Sequence, residues 1–224
     1  MNNKLLKYAY IKGYIINNNL SDYLSTANKN LALLTSDDEI ILDEVANKYE
    51  LKTYYFKDKE ILPRVNSVLG FLKNIYPSSI LDVGSGRGVF LFPFMCEFEN
   101  CEVTSIDILP WRVAMMNNIK TGGVSNLNSY LMDITKCELF DNSFDCVTLL
   151  EVLEHIENVA DAVKNAVRMS KRYIVVSVPS KEDDNPGHIH LLTKDILTSI
   201  FNKCGVSNLK FSGVNGHLIL IARK

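Results

Sequence analysis

Apolar positions along the chain change their period at one point, and the rest of the pattern follows from it. Between 79 and 83 the run is nearly continuous, with Ile80, Leu81 and Val83 reading as a strand buried on both faces. Directly after it, Gly84, Gly86 and Gly88 free the backbone to turn sharply and to approach a ligand closely. Val89, Phe90, Phe92, Pro93 and Phe94 then restart an apolar pattern within the first turns of a predicted helix. Strands are predicted again over 102–106, 127–132, 144–150 and 173–178. Between them fall a helix carrying Val113, Ala114 and Met116, closed by Gly122 and Gly123, and another over 159–169. Thr193 caps a helix running to Phe201, with Asp195 in its first turn, and 209–212 with 217–222 read as a closing pair of strands.

Ahead of the glycines the pattern is helical. Residues 1–35 predict one or two short helices from Leu5, Leu6, Tyr8, Ile11, Ile15 and Ile16, punctuated by Gly13 and three asparagines at 17–19. Ser36 with Glu39 predicts a capping box for a helix whose face is Ile40, Ile41 and Val45. A further helix is predicted over 58–75, with Pro63 near its start, and Pro77 ends it. Tyr8, Tyr10, Tyr14, Tyr23, Tyr49, Tyr54, Tyr55 and Tyr76 all precede the glycines, and as a group they make this region the candidate lid.

Composition narrows this picture. A length of 224 residues allows one sizeable domain and a small appendage, here 1–57 as a helical cap and 58–224 as an α/β domain. A net charge of −2 gives no general electrostatic case for nucleic acid. Five cysteines without a C-x-x-C spacing predict reduced thiols in a cytoplasmic protein. No apolar run is long enough to span a bilayer. Oligomeric state is not written in the sequence.

The stretch 79–88, Ser-Ile-Leu-Asp-Val-Gly-Ser-Gly-Arg-Gly, resembles motif I of the class I S-adenosylmethionine-dependent methyltransferases of the type 11/12-like kind. Its spacing is G-x-G-x-G with Asp82 two residues ahead, not the G-x-G-x-x-G of nicotinamide enzymes. The resemblance covers residues from about 60 onward. It implies a Rossmann-like α/β fold: a seven-stranded, mostly parallel sheet with helices on both faces, an antiparallel last strand and the N-terminal helical cap. It also implies S-adenosylmethionine as cofactor, with Asp82, Gly84, Ser85, Gly86 and Gly88 in the glycine loop, Asp107 on the ribose and Ile108 on the adenine face. Asp133 and Ile134 would take the adenine edge, and Leu150 and Glu151 would border the donor. Trp111 reads either as a flank for adenine or as packing.

Methyl transfer from a sulfonium needs alignment and exclusion of water, and an oxygen or nitrogen acceptor adds the need for a base. No Asn-Pro-Pro-Tyr-type motif follows the fourth strand; Glu151-Val152-Leu153-Glu154-His155 stands there instead, with His188 and His190 on a later loop. His155 and His188 are the candidate catalytic residues for a small-molecule acceptor. On a turn starting a helix, Glu151, Glu154 and His155 at i, i+3 and i+4 would converge, and with His188 they would suit magnesium or manganese. In this the chain is similar to metal-dependent 2′-O-methyltransferases of small-RNA ends and to ubiquinone-pathway O-methyltransferases. Because Glu-x-x-Glu-His also occurs in methyltransferases that bind no metal, no metal is assigned from sequence. A module that binds the nucleoside without transferring methyl is the remaining alternative.

Overall fold

The computed structural model describes residues 1–57, 60–182 and 184–224. Among these, the strands form one seven-stranded sheet in the order β3-β2-β1-β4-β5-β7-β6, from β1 (Ser79–Val83), β2 (Glu102–Asp107), β3 (Leu127–Leu131), β4 (Phe144–Leu150), β5 (Ser170–Pro179), β6 (Asn208–Val214) and β7 (His217–Arg223). The first five strands pair in parallel, and β7 inserts antiparallel between β5 and β6. Strand order reverses at the β1–β4 boundary, which opens a crevice at the carboxyl ends of those two strands. The central strands are buried on both faces: Ile80 packs with helices on one side and Leu81 on the other, so the near-continuous apolar runs reflect a two-sided core.

The helices are α1 (Asn3–Asn17), α2 (Leu24–Ala27), α3 (Ser36–Lys48), α4 (Pro63–Ile75), α5 (Leu91–Glu97), α6 (Pro110–Thr121), α7 (Val159–Met169) and α8 (Lys194–Lys203). Four expectations shift. Gly13 does not punctuate α1, which runs through it, because it lies against the backbone of α6: a Cβ at Gly13 would stand 1.8 Å from the Asn118 carbonyl oxygen. Gly122 meets Ala9 in the same way, also at 1.8 Å, so two glycines let α1 and α6 approach closely. The capping residue of α3 is Thr35, in a box with Asp38, one position before Ser36, since Thr35 holds the extended backbone an N-cap requires. The predicted helix start at Asp58 lies outside the described residues, and α4 begins at Pro63, where proline's missing N–H costs nothing. At the other end of the domain, β5 starts at Ser170, directly after α7 and three residues before the predicted 173; Ser170 already pairs with Phe144.

The N-terminal region is not a detached unit. Leu6, Ala9 and Phe56 belong to the same buried cluster as Ile80, Leu72 and Phe94, while Tyr8, Ile11, Ile15, Leu42 and Val45 form a smaller cluster of their own. No helix among the described residues is long and apolar enough to cross a membrane.

Candidate active site

A cleft of about 1410 Å³ opens over the carboxyl ends of β1, β2 and β4. Its floor is the glycine loop. Gly84, Gly86 and Gly88 all have positive φ (66°, 59° and 81°), and a Cβ at Gly88 would stand 2.4 Å from the Phe92 ring. Gly86 differs, because a Cβ there would meet nothing closer than the Gly84 carbonyl at 3.7 Å; that side is open to the cleft. Ser85 Oγ lies 2.7 Å from Ser105 Oγ, fastening the loop to β2.

Asp82, Gly84, Ser85, Gly86, Gly88, Asp107, Ile108, Asp133, Ile134, Leu150, Glu151 and His155 all line this cleft, although they come from four strand ends. Asp82 is buried, and its Oδ1 accepts a 2.6 Å hydrogen bond from Thr148 on β4. Burial pushes its carboxyl up from 3.8 to about 6, against the opposing pull of hydrogen bonds from Ser85 and Thr148. Asp107 is held by three donors: Gly86 N–H at 3.1 Å, Leu109 N–H at 2.9 Å and Arg112 Nη1 at 3.2 Å. A buried carboxylate so oriented is prepared to receive hydroxyl donors from the cleft side. Asp133 caps a short 3₁₀ turn through Thr135, while Ile108 is two-thirds exposed and offers a bare apolar face. Trp111 is not among the residues lining the cleft; it is exposed, with Lys52 and Arg112 over its ring.

At the other end of the cleft the expected convergence changes. Glu154, His155 and His188 do come together, with one ligand atom each inside 4.8 Å of one another, and the two rings meet edge to face at 4.8 Å. Glu151 does not join them. It sits in the left-handed region at φ 59°, Val152 follows in a non-helical conformation, and the 3₁₀ turn covers only Leu153–His155. The i, i+3 relation assumed for Glu151 therefore never forms, and its carboxylate turns toward β5 and β7. There Ser177 Oγ donates to Oε1 at 2.6 Å, and His217 Nδ1 lies 3.2 Å from Oε2. His155 Nδ1 donates to the Gly187 carbonyl at 2.7 Å, which leaves its Nε2 as the acceptor nitrogen. His188 ring Nε2 is 2.9 Å from Asn185 Nδ2, and His188 is not part of the cleft wall.

Of the eight N-terminal tyrosines, Tyr54 and Tyr55 reach the cleft; Tyr8, Tyr14, Tyr23 and Tyr49 pack within the cap. The two phenols are 3.1 Å apart, and Arg87 lies over the Tyr55 ring. Their turn, Thr53–Phe56, is anchored by Phe56, which stacks on Tyr10 at 5.5 Å and on Phe92 at 4.8 Å. Sequence reasoning missed Arg64, Ser177 and His217, because each reaches the site through tertiary placement and none stands beside a recognisable motif.

Comparison with known proteins bears on this geometry. The profile of a family described as a methyltransferase domain matches residues 55–210. The ubiquinone biosynthesis O-methyltransferase of Photobacterium profundum is 31% identical over 111 residues, covering 48% of this chain and 46% of its own. The ribosomal RNA small subunit methyltransferase G of Streptococcus agalactiae is 25% identical over 156 residues, covering 68% of this chain and 63% of its own. The chain thus spans about half the length of the ubiquinone-pathway relative and under two thirds of the ribosomal one. Among solved structures, an O-methyltransferase family protein from Burkholderia thailandensis superposes with a TM-score of 0.62 at 13% identity, covering 85% of this chain and 63% of its own, a likeness of fold.

Proposed function

The chain belongs to the class I S-adenosylmethionine-dependent methyltransferases, and from that premise we propose that it methylates an oxygen or nitrogen atom of a small-molecule acceptor. The observation that supports this reading is the cleft: about 1410 Å³ exceeds the roughly 300–1,000 Å³ of a typical pocket for one drug-sized ligand, which leaves room for an acceptor beside the donor. The residues present suit the donor. Asp107 would take the ribose hydroxyls, Ile108 the adenine face, and Asp133 with Ile134 the adenine edge, while the glycine loop with Asp82 and the ends of β4 at Leu150 and Glu151 would hold the remainder. When bound, the donor supplies an activated methyl carbon; the chain's own part is to align the acceptor, keep water out and accept a proton.

His155 is the residue for that proton. With Nδ1–H fixed on Gly187, Nε2 presents the lone pair, and His188 against its ring restrains the imidazole. Tyr54 and Tyr55 would cover the acceptor as the lid. Five free thiols support a reducing compartment such as the cytoplasm. The test is transfer of labelled methyl from S-adenosylmethionine into a metabolite pool. Transfer to a small molecule is expected, with His155→Ala slowing it roughly 10²- to 10⁴-fold while S-adenosylhomocysteine still binds.

One observation favours a second reading. Glu154, His155 and His188 present three ligand atoms in one place, as a divalent metal acting at an RNA 3′ end would require. Transfer abolished by EDTA, restored by Mg²⁺ or Mn²⁺ and directed to RNA would replace the first reading with this one.

A further inference from the structure

Three sulfur atoms from three segments meet behind the β3 side of the cleft. Met132 directly follows β3, Cys137 closes the 3₁₀ turn Ile134–Lys136, and Met169 is the last residue of α7. Cys137 Sγ stands 3.1 Å from Met132 Sδ and 3.5 Å from Met169 Sδ. Cys137 and Met169 are buried, while Met132 is part of the cleft wall, so the cluster has a route to solvent through one of its own members. The frame around it is fixed: Asn165 Nδ2 donates to the Ile134 and Thr135 carbonyls, and Arg168 to those of Cys137 and Leu139, at 2.6–3.1 Å. Both donors belong to α7, so the helix that carries Met169 is tied to the turn that carries Cys137.

A thiol has one hydrogen and can give it to one thioether, so one of the two contacts brings sulfur lone pairs together with no proton between them. A soft cation that accepts lone pairs from all three sulfurs would replace that contact with bonds. We propose that Met132, Cys137 and Met169 form a binding site for a soft monovalent cation of the Cu(I) class. The donor set decides the class: thiolate and thioether ligands select Cu(I), whereas zinc takes thiolate, imidazole and carboxylate, and magnesium takes oxygen. Among the described residues Cys137 belongs to no group of three cysteine, histidine or carboxylate ligands, so a zinc-type set is not open to it. On binding, the Cys137 S–H bond breaks, its proton passes to solvent, and sulfur–copper bonds form with no change of oxidation state. Three sulfurs each about 2.3 Å from one ion, the length of a zinc–thiolate bond, stand about 4 Å apart when arranged around it in a plane. The set therefore widens on binding, and Met132, unbranched and on the cleft wall, is the member able to swing. The site is independent of the methyl-transfer reading.

Anaerobic competition for Cu(I) against bicinchoninate tests the site on the full chain. Wild type is expected to withdraw one equivalent of Cu(I) that Cys137→Ser does not. Met132→Leu and Met169→Leu, which keep volume and lose the thioether, should each hold that equivalent at least about tenfold more weakly. In protein labelled at the methionine methyl carbons, the same equivalent should move the signals of Met132 and Met169, assigned by those two variants, and leave those of Met1, Met95, Met115 and Met116 in place. Absence of a Cys137-dependent equivalent, or methionine signals that stay where they were, overturns the proposal. So does wild-type affinity in both leucine variants, which would make Cys137 a single thiol packed on thioethers, or displacement of the Cu(I) by Zn(II). Circular dichroism and a thermal melt of each variant establish that the fold is retained.

Discussion

The two ends of the cleft are built differently. At the β2–β3 end, Asp107 and Ile108 come directly off β2, and Asp133 and Ile134 follow β3 by two and three residues. Each side chain is aimed by a strand a few residues away and is held by local bonds such as Leu109 N–H to Asp107. At the β4–α4 end, the wall combines the turn Thr53–Phe56, Arg64, Glu151 and His155, supported by His217 from β7 and Gly187 from the loop after β5. Partners there are up to 153 residues apart in sequence, as Arg64 and His217 are. An end made from strand termini is set by the sheet, whereas an end made from distant segments is set by how each of them docks.

Substitutions distinguish the two. The largest effect is expected under the β2–β3 end, where Gly122→Val forces a side chain into the Ala9 backbone and should cost about 3 kcal/mol of stability, read from the shift of the urea midpoint. A melt unchanged from wild type would mean that α1 and α6 do not meet so closely.

Next in size is a gain, at the boundary between the ends. Burial raises the Asp82 carboxyl from 3.8 to about 6, so between about pH 4 and pH 6 the folded state holds a proton that the unfolded chain has released. Stability contributed by that proton is present below pH 4, falls as pH rises through 6 and is absent above. Asp82→Asn should therefore be more stable than wild type at pH 7.5, by about 2–3 kcal/mol, with no difference below pH 4. Denaturation at the two pH values tests this; equal stability at pH 7.5 would remove the claim that the ionised carboxylate is a burden.

Asp107→Ala should weaken S-adenosylhomocysteine by about 1–3 kcal/mol and leave the acceptor's KM alone, confining its effect to one end. The smallest change belongs to the docked end: Tyr55→Phe removes one phenol from the cleft wall and should raise the acceptor's KM by less than about 1 kcal/mol, with donor affinity intact. If donor affinity falls instead, the turn Thr53–Phe56 serves the β2–β3 end through Phe56 and Phe92, and the division between ends fails.

The same contrast explains what could be read in advance. The strands β1 to β4, the helix α7 and the cap at Thr193 were legible because apolar period and capping chemistry are local. The positions of Asp107 and Asp133 at and just after the ends of β2 and β3 are legible for the same reason, being fixed in number along the strand. Gly13 reads as punctuation because a glycine needed for helix–helix contact looks in sequence like one that ends a helix. Glu151 groups in sequence with Glu154 and His155 because the spacing fits a helix, and a single residue at φ 59° is invisible in the pattern. Arg64, Ser177 and His217 carry no signal until β7 is known to lie beside β5.

The place of β7 also sets an order of assembly. Among the described residues β6 pairs only with β7, so although β6 precedes it in the chain, it has no described edge to join until 217–223 have been synthesised. Emerging from a ribosome, the parallel strands β1 to β5 can pair as they appear, and the β2–β3 end of the cleft can take shape with them. His217 arrives later, and with it the imidazole whose Nδ1 stands 3.2 Å from Glu151 Oε2. A nascent chain halted before β7 would hold a glycine loop and Asp107 while still lacking the lock on its opposite wall, so competence to hold the nucleoside should precede competence to place the reacting partner.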